Sequence, residues 1–268
     1  MKRRSTFLVS VTSFGYGLLY LPIISVVIYS FNASRIVTFW GGFSTKWYTG
    51  LLEDQDLLDA AFLSLRIAVI SATLAVCLGA IVAVALQRLN RLRGRILLSG
   101  MITAPLVMPE IITGLSLLFL FISMANLIGW PMTRGATTIT IAHITFSMAY
   151  VVVVVRARLA TMDESLEEAA MDLGGKPVAV FFDITVPTLL PALISGWLLA
   201  FALSLDDLVI SSFVSGPGAT TLPMLIFAKV RLGVTPDINA ITTIIIALVA
   251  VAVATAAVIT NRRQPAAA

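Results

Sequence analysis

EAAMDLGGKPVAVFFDITVP, Glu168 to Pro187, is a polar and charged stretch set between two apolar segments, each long enough to cross a membrane. Asp163, Glu164, Glu167, Glu168 and Asp172 make its beginning acidic and compatible with a helix. Gly174 and Gly175 can break that helix, and Pro177 suits the first turn of a second short one. Pro187 precedes the next apolar run. The expected local structure is a helix–turn–helix facing water, a rigid lever suited to passing force from a partner into the spans.

The rest of the 268-residue chain supports a membrane setting. It is 59% hydrophobic and 12% charged, whereas soluble domains carry about 25% charged residues. Mean hydropathy is +0.99. A spanning helix needs about 20 mostly apolar residues, and six segments qualify: roughly 7–31, 62–86, 96–122, 137–155, 188–211 and 239–260. The apolar runs are continuous rather than alternating, which indicates helices and not a barrel. The fold class is therefore an all-α integral membrane protein with six transmembrane helices, a single transmembrane domain over 1–268 without a soluble domain. The run from Phe7 to Phe31 exceeds a signal-peptide core of roughly 7–15 residues, so it reads as a retained first helix.

Orientation follows from lysine and arginine. Lys2, Arg3, Arg4, Arg88, Arg91, Arg93, Arg95, Arg156, Arg158, Lys176, Arg262 and Arg263 flank the spans on one side. Arg35, Lys46, Arg134, Lys229 and Arg231 flank them on the other. The larger set is expected in the cytoplasm, with both termini and the loop 156–187. The net charge of +4 is then a topology signal, and no nucleic-acid partner is needed. Cys77, the single cysteine, excludes an intrachain disulfide.

Two further polar segments fall on the outer side. Residues 32–61 carry Trp40, Trp47 and Tyr48, then Glu53, Asp54, Asp56 and Asp59. They read as an interfacial aromatic belt with a short solvated helix, or as an acidic face for a binding protein or a cation. Residues 212–238, with a Gly216-Pro217-Gly218 turn and Pro223, read as a re-entrant or surface helix.

Intramembrane acids supply the second constellation. Ionisable groups at membrane depth are costly and default to function. Glu110 follows Pro105 and Pro109, which remove backbone donors and break the helix. Counted at about 1.5 Å per residue from the inner end, Glu110 lies past the midplane. Asp206 and Asp207 lie near the outer end of the fifth span, about 100° apart around the helix, so one of them faces any pore. Ser204 and Asp207, three apart, can share a face. A structural ion pair with Arg66 is the alternative for one aspartate. Three acids against one intramembrane base favour a cationic cargo. His143, the single histidine, reads as a satisfied polar residue. Gly174-Gly175-Lys176-Pro177 lacks the spacing of a phosphate loop, and no zinc motif or nucleophile elbow is present. No catalytic or metal site is expected, and energy from ATP must come through a partner.

Glu168-Ala169-Ala170, Gly174, Ile184 and Pro187 stand in the register of the EAA loop and resemble that of ABC importer permeases; Val186 replaces the usual leucine. APLVMPEIITGLSL, SLDDLVI and FVSGPGATTLP extend the resemblance over nearly the whole chain, to the putrescine/spermidine group of polyamine permeases. The resemblance implies a type I importer fold in the bacterial inner membrane. It also implies a second homologous permease, an ATPase dimer that holds ATP and magnesium, and a periplasmic polyamine-binding protein. No cofactor is implied for this chain itself. By position, Glu110, Asp206 and Asp207 match acidic positions of that branch, and Glu168, Ala169 and Gly174 match the coupling motif. Trp47 or Tyr48 adds a candidate cation–π contact. The rivals are another small cation or amino-acid derivative as cargo, a secondary carrier, and a non-transporting scaffold.

Overall fold

In the computed structural model the described residues are 6–36, 39–88, 94–163, 165–233 and 235–262. Lys2, Arg3, Arg4, Arg91, Arg93, Arg263 and the acidic Glu164 lie outside them. The described residues form helices without a strand; a lone bridge pairs Asn32 with Phe43. The chain divides into two compact units, Met1–Leu58 with Ile226–Ala268, and Asp59–Leu225.

The first unit holds α1 (Thr6–Tyr29), α2 (Lys46–Leu51) and α12 (Pro236–Arg262), with α12 packed on both α1 and α2. Helix α1 is apolar on every side and almost wholly exposed. Such a helix is stable only where lipid or another chain covers it.

The second unit contains most of α3 (Gln55–Arg88), then α4 (Arg95–Val107), α5 (Glu110–Ile128) and α6 (Ala136–Leu159). After these come α7 (Ser165–Asp172), α8 (Pro177–Val180), a π-helical turn (Phe181–Thr185), α9 (Val186–Asp206), α10 (Val209–Val214) and the start of α11 (Leu222–Leu232). Helix α6 is the central one and packs most extensively on α9. Its Val151, Val152 and Val155 are buried against Ala72, Ala75 and Ala83 of α3. Small residues let the two backbones approach closely: a Cβ on Gly79 would lie 2.8 Å from the Val151 side chain.

Among the described residues, five helical segments are long and apolar enough to cross a membrane: Phe7–Tyr29, Gln55–Arg88, Glu110–Ile128, Ala136–Leu159 and Pro177–Asp206. Arg95–Val107 and Pro236–Val251 are shorter apolar helices. The segment expected at 96–122 is two helices. Pro109 cannot donate to the ladder and pushes Met108 into extended backbone, φ −76 and ψ 137. Glu110 therefore opens the span Glu110–Ile128 instead of lying deep in one begun at residue 96.

The fifth span also differs from expectation. It begins at Pro177 and runs through Pro187 without interruption. The wider π-helical turn ends just before Val186 and Pro187, and so absorbs a proline that would otherwise clash with the preceding turn. At its far end Asp207 takes extended backbone, φ −66 and ψ 119, and separates α9 from α10. In the 212–238 segment the expected short helix is α11. Gly218 sits at φ +74 in the turn before it, and Gly216 lies so close to Arg134 that a Cβ would run into its carbonyl oxygen.

Candidate functional site

The loop between α6 and α9 folds as a helix, a glycine turn and a second helix. Gly174, at φ +90, lets the chain reverse. Its N–H donates to Met171 O at 2.9 Å, and the Gly175 N–H donates to Ala170 O at 2.9 Å. These two bonds close the end of α7 as a Schellman motif. Glu168, Ala169, Gly174 and Pro187 are exposed, while Ala170 and Ile184 are half-buried. Beside them Leu166, Leu173, Val178 and Phe182 expose apolar side chains, Leu173 at 91%.

Glu167, next to the motif glutamate, points the other way and is 8% exposed. Arg88, the last residue of α3, grips both of its oxygens. Nη2 donates to Oε1 at 2.7 Å, and Nη1 donates to Oε2. Thr185, at the end of the π-helical turn, donates to Oε1 at 2.6 Å. Burial works to raise the Glu167 carboxyl, but the hydrogen bonds from Arg88 and Thr185 and the Arg88 charge outweigh it, holding the group below the ordinary carboxylate range. This clamp was not visible in sequence, where Arg88 counted only toward orientation.

The acids separate into two environments. Helices α5 and α10 pack closely: a Cβ on Gly114 would lie 2.7 Å from the Phe213 ring and 3.3 Å from Ile210 Cα. Glu110 stands four residues before Gly114, and Asp206 four residues before Ile210. Both carboxylates are exposed, Glu110 at the first residue of α5 and Asp206 at the last of α9. Glu110 also occupies the first turn of α5, where the helix dipole favours a negative charge.

Asp207 is buried and fully engaged. It accepts from Ile210 N–H at 3.1 Å, from Ser211 N–H at 2.7 Å and from Ser211 Oγ at 2.7 Å. It therefore caps the start of α10. The His143 Nε2 lies 3.1 Å from Asp207 Oδ2. The other ring nitrogen lies 2.6 Å from Ser204 Oγ, and Ser71 Oγ donates to Ser204 at 3.1 Å. Ser204 and Asp207 do share a face, as their spacing suggested, but it is turned inward onto His143. Among the described residues the basic partner of Asp207 is His143, and Arg66 makes no ion pair.

The segment from Asn32 to Leu51 belongs to the first unit. Buried Asn32 organises it: its Oδ1 accepts from Gly41 N–H at 2.8 Å and Ser34 N–H at 3.1 Å, and its Nδ2 donates to Phe39 O at 2.8 Å. Trp47 Nε1 donates to Asn32 O at 2.6 Å, and the Lys46 ammonium lies 4.6 Å from the Trp47 ring centre. Tyr48 OH is 2.6 Å from Ser30 Oγ. In this fold Trp47 already carries a cation from its neighbour.

Residues 75–265 match the model of the family described as "Binding-protein-dependent transport system inner membrane component". The chain belongs to this family. The putrescine transport system permease protein PotI of Escherichia coli (strain K12) is 57% identical over 248 residues, 92% of this chain and 88% of that one. The spermidine/putrescine transport system permease protein PotC of the same organism is 42% identical, over 87% of this chain and 86% of its own length. Among solved structures, a bacterial alginate ABC transporter in complex with pentasaccharide-bound periplasmic protein superposes with a TM-score of 0.72. It is 14% identical, covering 96% of this chain and 93% of its own. A bacterial ABC transporter involved in alginate import gives 0.69 at 16% identity, covering 99% of this chain and 100% of its own. At those identities the likeness shows the fold, that of ABC importer permeases. The protein is a multi-pass inner-membrane component.

Proposed function

We propose that this chain is a permease subunit of an ATP-driven importer for polyamines, putrescine and spermidine. The observation that carries the reading is that Glu110, opening α5, and Asp206, ending α9, are exposed carboxylates at the ends of spanning helices. Carboxylates within spanning helices are costly and default to function, and among the described residues neither has an ion-pair partner. An ammonium cargo is the partner they lack. Names of the relatives, putrescine and spermidine/putrescine permeases, agree with that chemistry. The fold alone would not select it, since fold neighbours belong to transporters of an acidic polysaccharide.

In this reading α12 supplies a sixth span and both termini lie in the cytoplasm. The whole chain works as one type I permease domain beside a second homologous permease. A periplasmic binding protein delivers cargo at the outer face. ATP and magnesium are held by the two ATPase subunits, and this chain binds no cofactor. Glu168, Ala169, Ala170, Gly174, Ile184 and Pro187 form the surface that meets the ATPases. The exposed Leu173, Val178 and Phe182 give that surface the apolar character of a protein interface. Glu110 and Asp206 touch the cargo, whereas Ser204 and Asp207 act through His143.

Reconstitution tests the reading. Vesicles holding both permeases and the ATPases should accumulate putrescine only with internal ATP and added binding protein. Accumulation driven by an ion gradient without ATPases would instead identify a secondary carrier.

A further inference from the structure

Two contacts tie α3 to α9, and a third ties α3 to α7 and the π-helical turn that leads into α9, all in one antiparallel register. Ser71 Oγ donates to Ser204 Oγ at 3.1 Å, Trp197 Nε1 donates to Thr73 Oγ1 at 3.1 Å, and Arg88 reaches Glu167, which also holds Thr185. Ser71 to Arg88 spans seventeen residues and Thr185 to Ser204 nineteen, about 26 and 28 Å of helix at 1.5 Å per residue. The two struts are pinned at both ends. One end is the His143–Asp207 cluster beside Asp206, and the other is the Arg88–Glu167–Thr185 clamp.

Helix α9 continues the coupling segment through the backbone, so it follows any displacement of that segment. Helix α3 has no such continuity with α7. Its link to α7 is the ion pair, made with a planar fork on a carboxylate that is buried and held on a second side by Thr185. Bidentate pairs of this kind fix direction as well as distance.

We propose that Arg88 is a second coupling residue, which carries the displacement of α7 into α3 through Glu167 so that α3 and α9 move as one frame. The role is one of positioning, since Arg88 touches neither cargo nor nucleotide, and it rests on the ATP-driven reading above.

The test uses the complete complex, both permeases with the ATPases, reconstituted with putrescine-loaded binding protein. Arg88→Gln and Glu167→Gln are compared with the parent and with the exchanged pair Arg88→Glu/Glu167→Arg. The single variants should hydrolyse ATP within about twofold of the parent while cargo moved per ATP falls at least about fivefold, the low end of coupling between sites. The exchanged pair should recover most of that ratio. An unchanged ratio in Arg88→Gln overturns the proposal. So does loss of assembly together with hydrolysis in the single variants when the exchange restores neither, because that identifies a folding role alone.

A readout without cargo separates this from the transport reading. Hydrogen–deuterium exchange of α7 and of the last turn of α3 is compared between nucleotide-free and vanadate-trapped complexes. Both should change together in the parent, and α7 alone should change in Arg88→Gln. Independent responses in the parent overturn the clamp whatever the cargo. Joint responses in a parent that moves no polyamine overturn the cargo assignment and support the clamp.

Discussion

His143 Nε2 lies 3.1 Å from Asp207 Oδ2, with both side chains buried, and this contact gives two adjacent aspartates different work. Asp207 holds the α9–α10 break together. Asp206, one residue earlier, is left exposed at the end of α9.

Asp206→Asn and Asp207→Asn should therefore fail differently. Asp206→Asn should insert and melt like the parent, while uptake falls roughly tenfold to a hundredfold, the worth of one charged hydrogen bond. Asp207→Asn should lower thermal stability in detergent by about 1–3 kcal/mol, because an NH2 replaces one of the two oxygens that accept from the buried donors of α10. Matching losses of stability in both variants would show that the two acids are not divided in this way.

His143→Phe strips the partner from a buried carboxylate and from Ser204. Losing one hydrogen bond to a buried charged group costs about 1.5–3 kcal/mol. His143→Asn, which keeps a polar group at the site, should cost less. Thermal unfolding of the detergent-solubilised protein orders the two, and equal melting temperatures would remove His143 from the network.

Gly175→Ala would place a Cβ 2.7 Å from Ala170 O and 3.0 Å from Val180 Cγ2. The backbone oxygen cannot yield without opening the end of α7, so overpacking of about 1–3 kcal/mol is expected. Recovery of the ATPase subunits with the tagged chain should drop while insertion persists. Undiminished recovery would mean that the α7–α8 turn does not need its present geometry.

Acid should loosen the α7–α8 segment through Glu167. Its carboxyl is held below the ordinary value by Arg88 and Thr185 against the opposing effect of burial. The stabilisation is therefore complete above the unfolded glutamate value of about 4.3 and is lost as pH falls through the lower folded value. Pepsin digestion of residues 156–187, followed downward from about pH 5, should accelerate below that point in the parent. Glu167→Gln should digest without the acid step, and identical profiles would disprove the linkage.

How much of this was legible in the sequence depended on whether the signal was local. The motif spacing located the α7–α8 turn, and the glycines that end α7 sit where the chain reverses. Pro109 marked the break before Glu110. The phase of α7 was not legible: whether Glu167 or Glu168 turns inward is decided by Arg88, seventy-nine residues away along the chain. The same holds for Asp206 and Asp207, whose separation depends on His143 from α6. Pro187 misled for a related reason, because a π-helical turn just before it lets the helix continue. Serines and a histidine inside apolar spans were the one sequence trace of the buried network, and they do not reveal which of them meet.

The most direct test of the central claim is radiolabelled putrescine and spermidine uptake in cells lacking polyamine import. The chain is expressed with its neighbouring subunits and compared with Glu168→Lys and Glu110→Gln at matched membrane levels. The account predicts uptake by the parent and loss in both variants, one through coupling and the other through the cation path. A parent that takes up neither polyamine, or a Glu110→Gln variant that transports as well as the parent, would contradict it.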